Sequence, residues 1–356
     1  MGKTRLRLAC GGFFAFAVAA CAPDDIGAAK YSLDMCRRVA LEDSHGEIVR
    51  GAEDLALDQE NNRLFVAAYD RRAVEKAARS NKQTPPDGGV YAINLATLFD
   101  PHTQKISVVS LASPGDFTGG LRPHGLHYDA ENHELIFVNR TYARQGRKWR
   151  MTPRLQRVGA NGEVFIGEAS SAPCAANDVA TSGARIYTTF DHASCGFGAS
   201  IENVFRLKRS GVMESGQPVF AAAAFANGIA RFDNGRLAIA ATREKALIVV
   251  DEKNYSVQKR IALPGGPDNL TKTNSGEIIA ALHPSMVKLA LNRKLGVGHA
   301  PSRIVKVDME KQAIKVLFDD ARGELFSAAT VAVETNRGLV AGSVTDEGLL
   351  VCQAPV

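Results

Sequence analysis

The chain has 356 residues, 45% of them hydrophobic, enough apolar material for two ordinary domains or for one large all-β domain. The formal charge of +5 includes Lys3, Arg5 and Arg7 in a leader-like N-terminus; without these three it is +2. The remaining chain is then nearly neutral, and no nucleic-acid partner is implied.

Lys3, Arg5 and Arg7 precede an apolar run from Leu8 to Ala20. That run is too short to span a bilayer and reads as the core of an export signal. It ends in Val18-Ala19-Ala20-Cys21, which resembles the bacterial lipobox, whose cysteine receives a diacylglyceryl group. An ordinary secretory signal cut nearby is the alternative. The expectation is a signal peptide over 1–20, a lipid on Cys21, a linker over 21–35 and a folded domain over 36–356. The chain would then be lipid-anchored in the cell envelope. Ala22 in place of an acidic residue leans toward the outer membrane, facing the periplasm. Cys10 would leave with the leader, so Cys36, Cys174, Cys195 and Cys352 remain. Four cysteines in an oxidising compartment predict two disulfides, in any of three pairings. No CxxC spacing occurs, so zinc is not expected.

Six segments then repeat one pattern: a polar position, alternating apolar residues, a polar turn and a second apolar run. They are EDLALDQENNRLFVAA from Glu53, PHGLHYDAENHELIFVN from Pro123, NDVATSGARIYTTF from Asn177, NGIARFDNGRLAIAA from Asn227, DNLTKTNSGEIIAAL from Asp268 and AATVAVETNRGLVAGS from Ala328. Each reads as a β-hairpin, and Asn161-Gly162, Asn234-Gly235 and Ser275-Gly276 supply turns needing positive φ. Amphipathic helices do not recur between the strands, which excludes a βαβ sheet. The starts are spaced for four short strands each, so the predicted fold is an all-β, six-bladed propeller. A Cys36–Cys352 bridge would pin both termini within one blade, and Cys174 and Cys195 bracket the third hairpin, where they could bridge locally.

Two stretches interrupt the repeats. Arg71 to Gln83 favours helix. Arg140 to Arg157 is strongly basic and holds the only tryptophan, Trp149; it reads as a solvated loop, with a lid or a contact to membrane phosphates as alternatives.

The position opening each hairpin should converge on the propeller axis. It holds Glu53-Asp54, His124, Asn177-Asp178, Asn227 and Asp268-Asn269. Acids and amides meeting from separate blades suit a hard, oxygen-seeking cation. Glu53 and Asp268, with Asn177, Asn227 and Asn269, carry the charge to neutralise one Ca²⁺, and Asp54 with Asp178 a second. Without metal these carboxylates would repel one another.

Several segments resemble, in order, the signature segments of the paraoxonase/arylesterase family: GAEDLAL at Gly51, RPHGL at Arg122, AANDVA at Ala175, FDHASC at Phe190, FANGIA at Phe225, PDNL at Pro267 and LHPS at Leu282. The resemblance runs from Cys36 to Cys352 and implies a calcium-dependent six-bladed hydrolase of lactones and aryl esters. It implies a Cys36–Cys352 disulfide and a catalytic calcium on Glu53, Asn177, Asn227, Asp268 and Asn269. It also implies a structural calcium on Asp54, Asp178 and the Leu126 carbonyl. His124 would activate water, with His192 and His283 as further pocket histidines and Asp191 placed to orient His192. Where the family has a second supporting histidine this chain has Arg140, which cannot relay a proton but could hold an anionic substrate group. The competing readings are a related propeller enzyme of gluconolactonase or strictosidine-synthase type, and a non-catalytic propeller stabilised by calcium.

Overall fold

Both apolar runs of every repeat form paired strands in the computed structural model, which describes residues 27–232 and 235–355. The N-terminal segment read as an export signal, Cys21 and Asn234 lie outside those residues. Each repeat opens one blade of four antiparallel strands, and Lys105–Ser107 adds a parallel edge strand to the sixth. Blade 1 runs outward from Ala52–Asp58 through Arg63–Ala68 and Gly89–Asn94 to Val109–Ser110. Blade 2 runs from Pro123–Asp129 through Glu134–Asn139 and Arg154–Gly159 to Val164–Ser171. Ala176–Ser182, Ala226–Phe232 and Gly266–Lys272 are the inner strands of blades 3, 4 and 5. Blade 6 uses both ends of the chain: Ala329–Thr335, Gly338–Ser343 and Leu349–Gln353 are completed by Cys36–Glu42. The inner strands touch in a closed ring, 1 to 6 and back to 1, so the propeller has no open side.

The ring is closed covalently. Cys36 lies opposite Cys352 in the antiparallel register and is disulfide-bonded to it. Cys174–Cys195 forms the second bridge. The packed region begins before Cys36, where the sequence had placed a linker: Lys30 and Tyr31 donate backbone hydrogen bonds to Val316 and Leu317 of blade 5 (3.0 and 2.8 Å), and Tyr31 is buried.

Core side chains fill the wedges between blades. Leu55, Val66, Val331 and Val351 join blades 1 and 6, and Ala238, Leu247, Leu270 and Val305 join blades 4 and 5. Burying each large aliphatic side chain contributes about 1.5–3 kcal/mol. Small residues such as Ala238 and Ala240 let the wedge narrow toward the axis. Gly162, Gly235 and Gly276 take positive φ (91°, 72° and 83°), as the turn pattern required.

The segments leaving the second strand of each blade roof one face. They include α1 (Arg71–Ser80), between the second and third strands of blade 1, while α2 (Leu95–Phe99) follows the third strand of that blade. α3 (Phe197–Phe205) and α4 (Met286–Leu295) take the same place in blades 3 and 5. In blade 2 the basic stretch at this place is not a solvated loop throughout. Tyr142–Gln145 and Lys148–Met151 form a hairpin, and Arg154–Gly159 is the blade's third strand. Trp149 fixes the hairpin to the end of α1: its Nε1 donates to the Gln83 carbonyl (2.9 Å) and its backbone N–H to Asn81 Oδ1 (3.0 Å). Arg144 stacks on its ring.

Candidate cation site and pocket

The polar residues reach the axis because all six inner strands are irregular at the same place. The ladder register shifts between Ala52 and Asp54, Pro123 and Leu126, Ala176 and Val179, Ala226 and Ile229, Pro267 and Leu270, and Ala329 and Val331. A bulge frees residues from the ladder and re-aims their side chains. Here it releases Glu53, His124, Asn177, Asn227, Asp268 and Thr330, one per blade. All six line one cavity of about 250 Å³. Close approach of neighbouring blades at this level requires glycine. A Cβ on Gly125 would lie 2.3 Å from the Asp178 Cα, and one on Gly228 would lie 2.5 Å from the Asp268 carbonyl oxygen.

Around the cavity floor the oxygen atoms lack donors. Asn177 Oδ1, Asn227 Oδ1 and Asn269 Oδ1 are buried without a hydrogen-bond partner, and Glu53 Oε2 has only the His124 ring nitrogen beside it. Asn227 Nδ2 donates to Asp268 Oδ1, and Asn269 Nδ2 to the Glu53 carbonyl (3.0 Å), so each amide is held with its oxygen unpaired. Leaving a buried acceptor unsatisfied costs about 1–3 kcal/mol, and three such amide oxygens beside two carboxylates form an environment that a hard cation satisfies. Among the described residues no three His, Cys, Asp or Glu side chains converge as a metal site by themselves; this set needs its amides. The residues therefore fit Ca²⁺ better than zinc.

Asp54 and Asp178 lie one step deeper. Each accepts its own strand's next N–H and one from the neighbouring blade: Asp54 from Leu55 (2.9 Å) and Leu126 (2.7 Å), Asp178 from Val179 (2.7 Å) and Ile229 (2.8 Å). Leu126 thus meets this pair through its N–H.

Three imidazoles surround the cavity, each beside a carboxylate. His124 Nδ1 lies 2.9 Å from Glu53 Oε2, His283 Nε2 lies 2.6 Å from Asp268 Oδ2, and His192 Nδ1 lies 2.6 Å from Asp191 Oδ1. Burial, followed by the Arg140 charge, pushes the His124 pKa down to about 3, with Glu53 pulling the other way. The His192 ring packs edge-on against Phe225, and its Nε2 is buried without a partner.

The predicted polar set thus converges in two tiers. Sequence reasoning missed Thr330, although it occupies the shared position of the sixth repeat. It also missed Arg293 of α4, for which no local signal exists.

No protein-family model matches the chain, and no curated protein matches it in sequence. Among solved structures, one assigned as a gluconolactonase superposes with TM-score 0.51 and 14% identity, covering 89% of this chain and 91% of that one. Also similar are a chain of a nidogen/laminin complex (TM-score 0.49, 10% identity, 79% and 82% covered) and XC5397 from Xanthomonas campestris, a gluconolactonase (TM-score 0.47, 13% identity, 86% of each covered). Likeness at this level is a likeness of fold. It does not confirm the paraoxonase/arylesterase assignment.

Proposed function

We propose that the chain is a Ca²⁺-dependent hydrolase that opens lactones, with aryl esters as secondary substrates. The observation that carries this reading is the set of unpaired buried amide oxygens on Asn177, Asn227 and Asn269 beside the carboxylates of Glu53 and Asp268, at the floor of a cavity flanked by imidazoles. Those five residues would hold the catalytic ion, and Asp54 and Asp178 a deeper structural one. A bound calcium would supply Lewis-acid polarisation of the substrate carbonyl.

The chain's own residues handle the proton. His192 lines the cavity with Nε2 unpaired, and Asp191 behind Nδ1 fixes the tautomer and stabilises the imidazolium that forms. His192 is therefore the general base in this reading. His124, fully buried against Glu53, keeps a neutral ring and orients the attacking water. His283 holds Asp268 in place. The Cys174–Cys195 bridge keeps the segment carrying Asp191 and His192 against the cavity. The likeness in fold to a gluconolactonase makes ring lactones the first substrates to try.

The test is hydrolysis of a lactone panel and of phenyl acetate, with and without a calcium chelator, at a temperature where the fold persists. Activity lost on chelation and restored by Ca²⁺ supports the reading. Activity indifferent to chelation overturns it.

A further inference from the structure

The wall above the cation site is more basic than hydrolysis of a neutral ring requires. Arg71 at the start of α1, Arg140 at the end of the second strand of blade 2, and Arg293 on α4 come from three separate segments of the roof. Arg71 and Arg293 line the cavity, while Arg140 and Arg71 line the adjoining recess beneath the hairpin. The acids around them are few. One oxygen of Glu75, Oε1, is shared by Arg71 Nε (3.4 Å) and Arg293 Nη2 (3.6 Å), and its other oxygen faces Arg79 at 3.8 Å. These contacts are long for charge-assisted hydrogen bonds, which run at about 2.7–2.9 Å. Arg140 is only 6% exposed. Its side chain makes one long contact, Nη1 to the Tyr69 hydroxyl at 3.4 Å, and its Nε is buried without a partner, as is the Nε of Arg293.

The next acids are already engaged: Glu53 by His124, Asp268 by His283 and Asp191 by His192. Two guanidiniums therefore line the cavity and a third the recess that opens beside it, with one carboxylate, that of Glu75, between Arg71 and Arg293. The Arg293 pKa is lowered to about 10, first by the charge of Arg71 and then by burial, with Glu75 pulling the other way, as a nearby like charge requires.

We infer that Arg71, Arg140 and Arg293 form an anion subsite, and that the preferred substrate is a small lactone or ester bearing a carboxylate. The inference rests on the hydrolytic reading of the same cavity. A planar guanidinium fork matches a carboxylate in a way a lysine does not. In the reaction water adds across the ring C–O bond. The acyl carbon keeps the water oxygen and becomes a carboxylate, the ring oxygen leaves as a hydroxyl, and one proton is released. The product thus carries two carboxylates, one at the cation and one at the arginines.

The test uses the calcium-equilibrated protein with glutarate, which has two carboxylates, and butyrate, which has one. Calorimetric binding of glutarate at least tenfold tighter than butyrate supports the subsite, and equal affinities overturn it. Arg140→Gln should cut the glutarate preference at least fivefold, and Arg140→Lys should restore less than half of it. A preference unchanged in Arg140→Gln and in Arg293→Gln removes the arginines from the account. For a matched pair of γ-lactones with and without a pendant carboxylate, the ratio of kcat/KM should favour the carboxylated one and fall in the same variants. If glutarate is preferred but no lactone turns over, the subsite stands and the hydrolytic reading falls. If neutral lactones turn over with calcium but glutarate gains nothing, the hydrolytic reading stands and the subsite falls.

Discussion

Asp54 and Asp178 come from blades 1 and 3, yet both are buried at the hub and neither has a cationic partner in hydrogen-bond reach. Burial, then the charges of Asp178 and Glu53, raise the Asp54 pKa well above the carboxylate range. Burial likewise raises that of Asp178, to about 8, against the pull of the Ile229 and Val179 N–H groups. Two carboxylates so placed are a liability unless a cation sits between the blades.

The sign of a substitution there depends on metal. Asp54→Asn removes a buried like charge while keeping the side chain's size, so chelated Asp54→Asn protein should melt at or above the chelated parent. With calcium the order reverses. A ligand at one hundred times its Kd stabilises by about 2.7 kcal/mol, and the variant should lose most of that gain. Differential scanning calorimetry of both proteins in chelator and in calcium checks the crossing; parallel shifts would remove the lower cation site.

Removing the base should affect turnover without affecting metal uptake. General-base catalysis contributes about 10²–10⁴-fold, so His192→Gln should lower lactone kcat by at least 10²-fold while the calcium-induced rise in Tm persists. Asp191→Asn should lower kcat in the same direction by a smaller factor. If His124→Gln rather than His192→Gln abolishes turnover, the base is His124.

Far from the pocket, Glu252 of blade 4 staples two blades: it accepts from Tyr187 (3.0 Å) and Arg185 of blade 3 and from Arg231 Nε (2.9 Å) of its own. Burial alone would raise its pKa, but hydrogen bonds from Ser182, Arg231 and Tyr187 outweigh that and the net shift is downward. The sign follows from linkage. A carboxyl with a depressed folded pKa contributes stability that is present above its unfolded value of about 4.3 and lost as pH falls through the folded value. Glu252→Gln should cost about 1–3 kcal/mol at pH 7, and the gap in Tm from the parent should close between pH 5 and pH 3. A gap that is constant with pH would assign the loss to packing.

Closing the ring covalently matters because the Cys36–Cys352 loop spans nearly the whole chain, with a sequence separation of 316. Bridges of this kind stabilise by about 2–4 kcal/mol, more for longer loops. Cys36→Ser should therefore lower the denaturation midpoint by an amount at the upper end of that range, whereas Cys174→Ser, which opens a loop of separation 21, should cost less. Equal losses would mean that the entropy of loop closure is not what the terminal bridge supplies.

The sequence by itself determined the six hairpins and the tier of acids and amides. Period-2 alternation and the turn glycines are local, and a polar residue at the same place in successive repeats is visible without coordinates. The Cys36–Cys352 bridge was legible too, because a ring of repeats must join its ends. Only the tertiary structure decided which oxygens lack donors, since Asn177, Asn227 and Asn269 are oriented by Asp191, Asp268 and the Glu53 carbonyl from elsewhere in the chain. It also decided that Arg71, Arg140 and Arg293 share one wall, and that the basic run after Arg140 folds into a hairpin held by Trp149 on α1. Those contacts join residues up to about two hundred positions apart through helices of different blades. No periodicity or composition encodes them, because the energy that selects them comes from burial and charge at a place that exists only once the ring has closed.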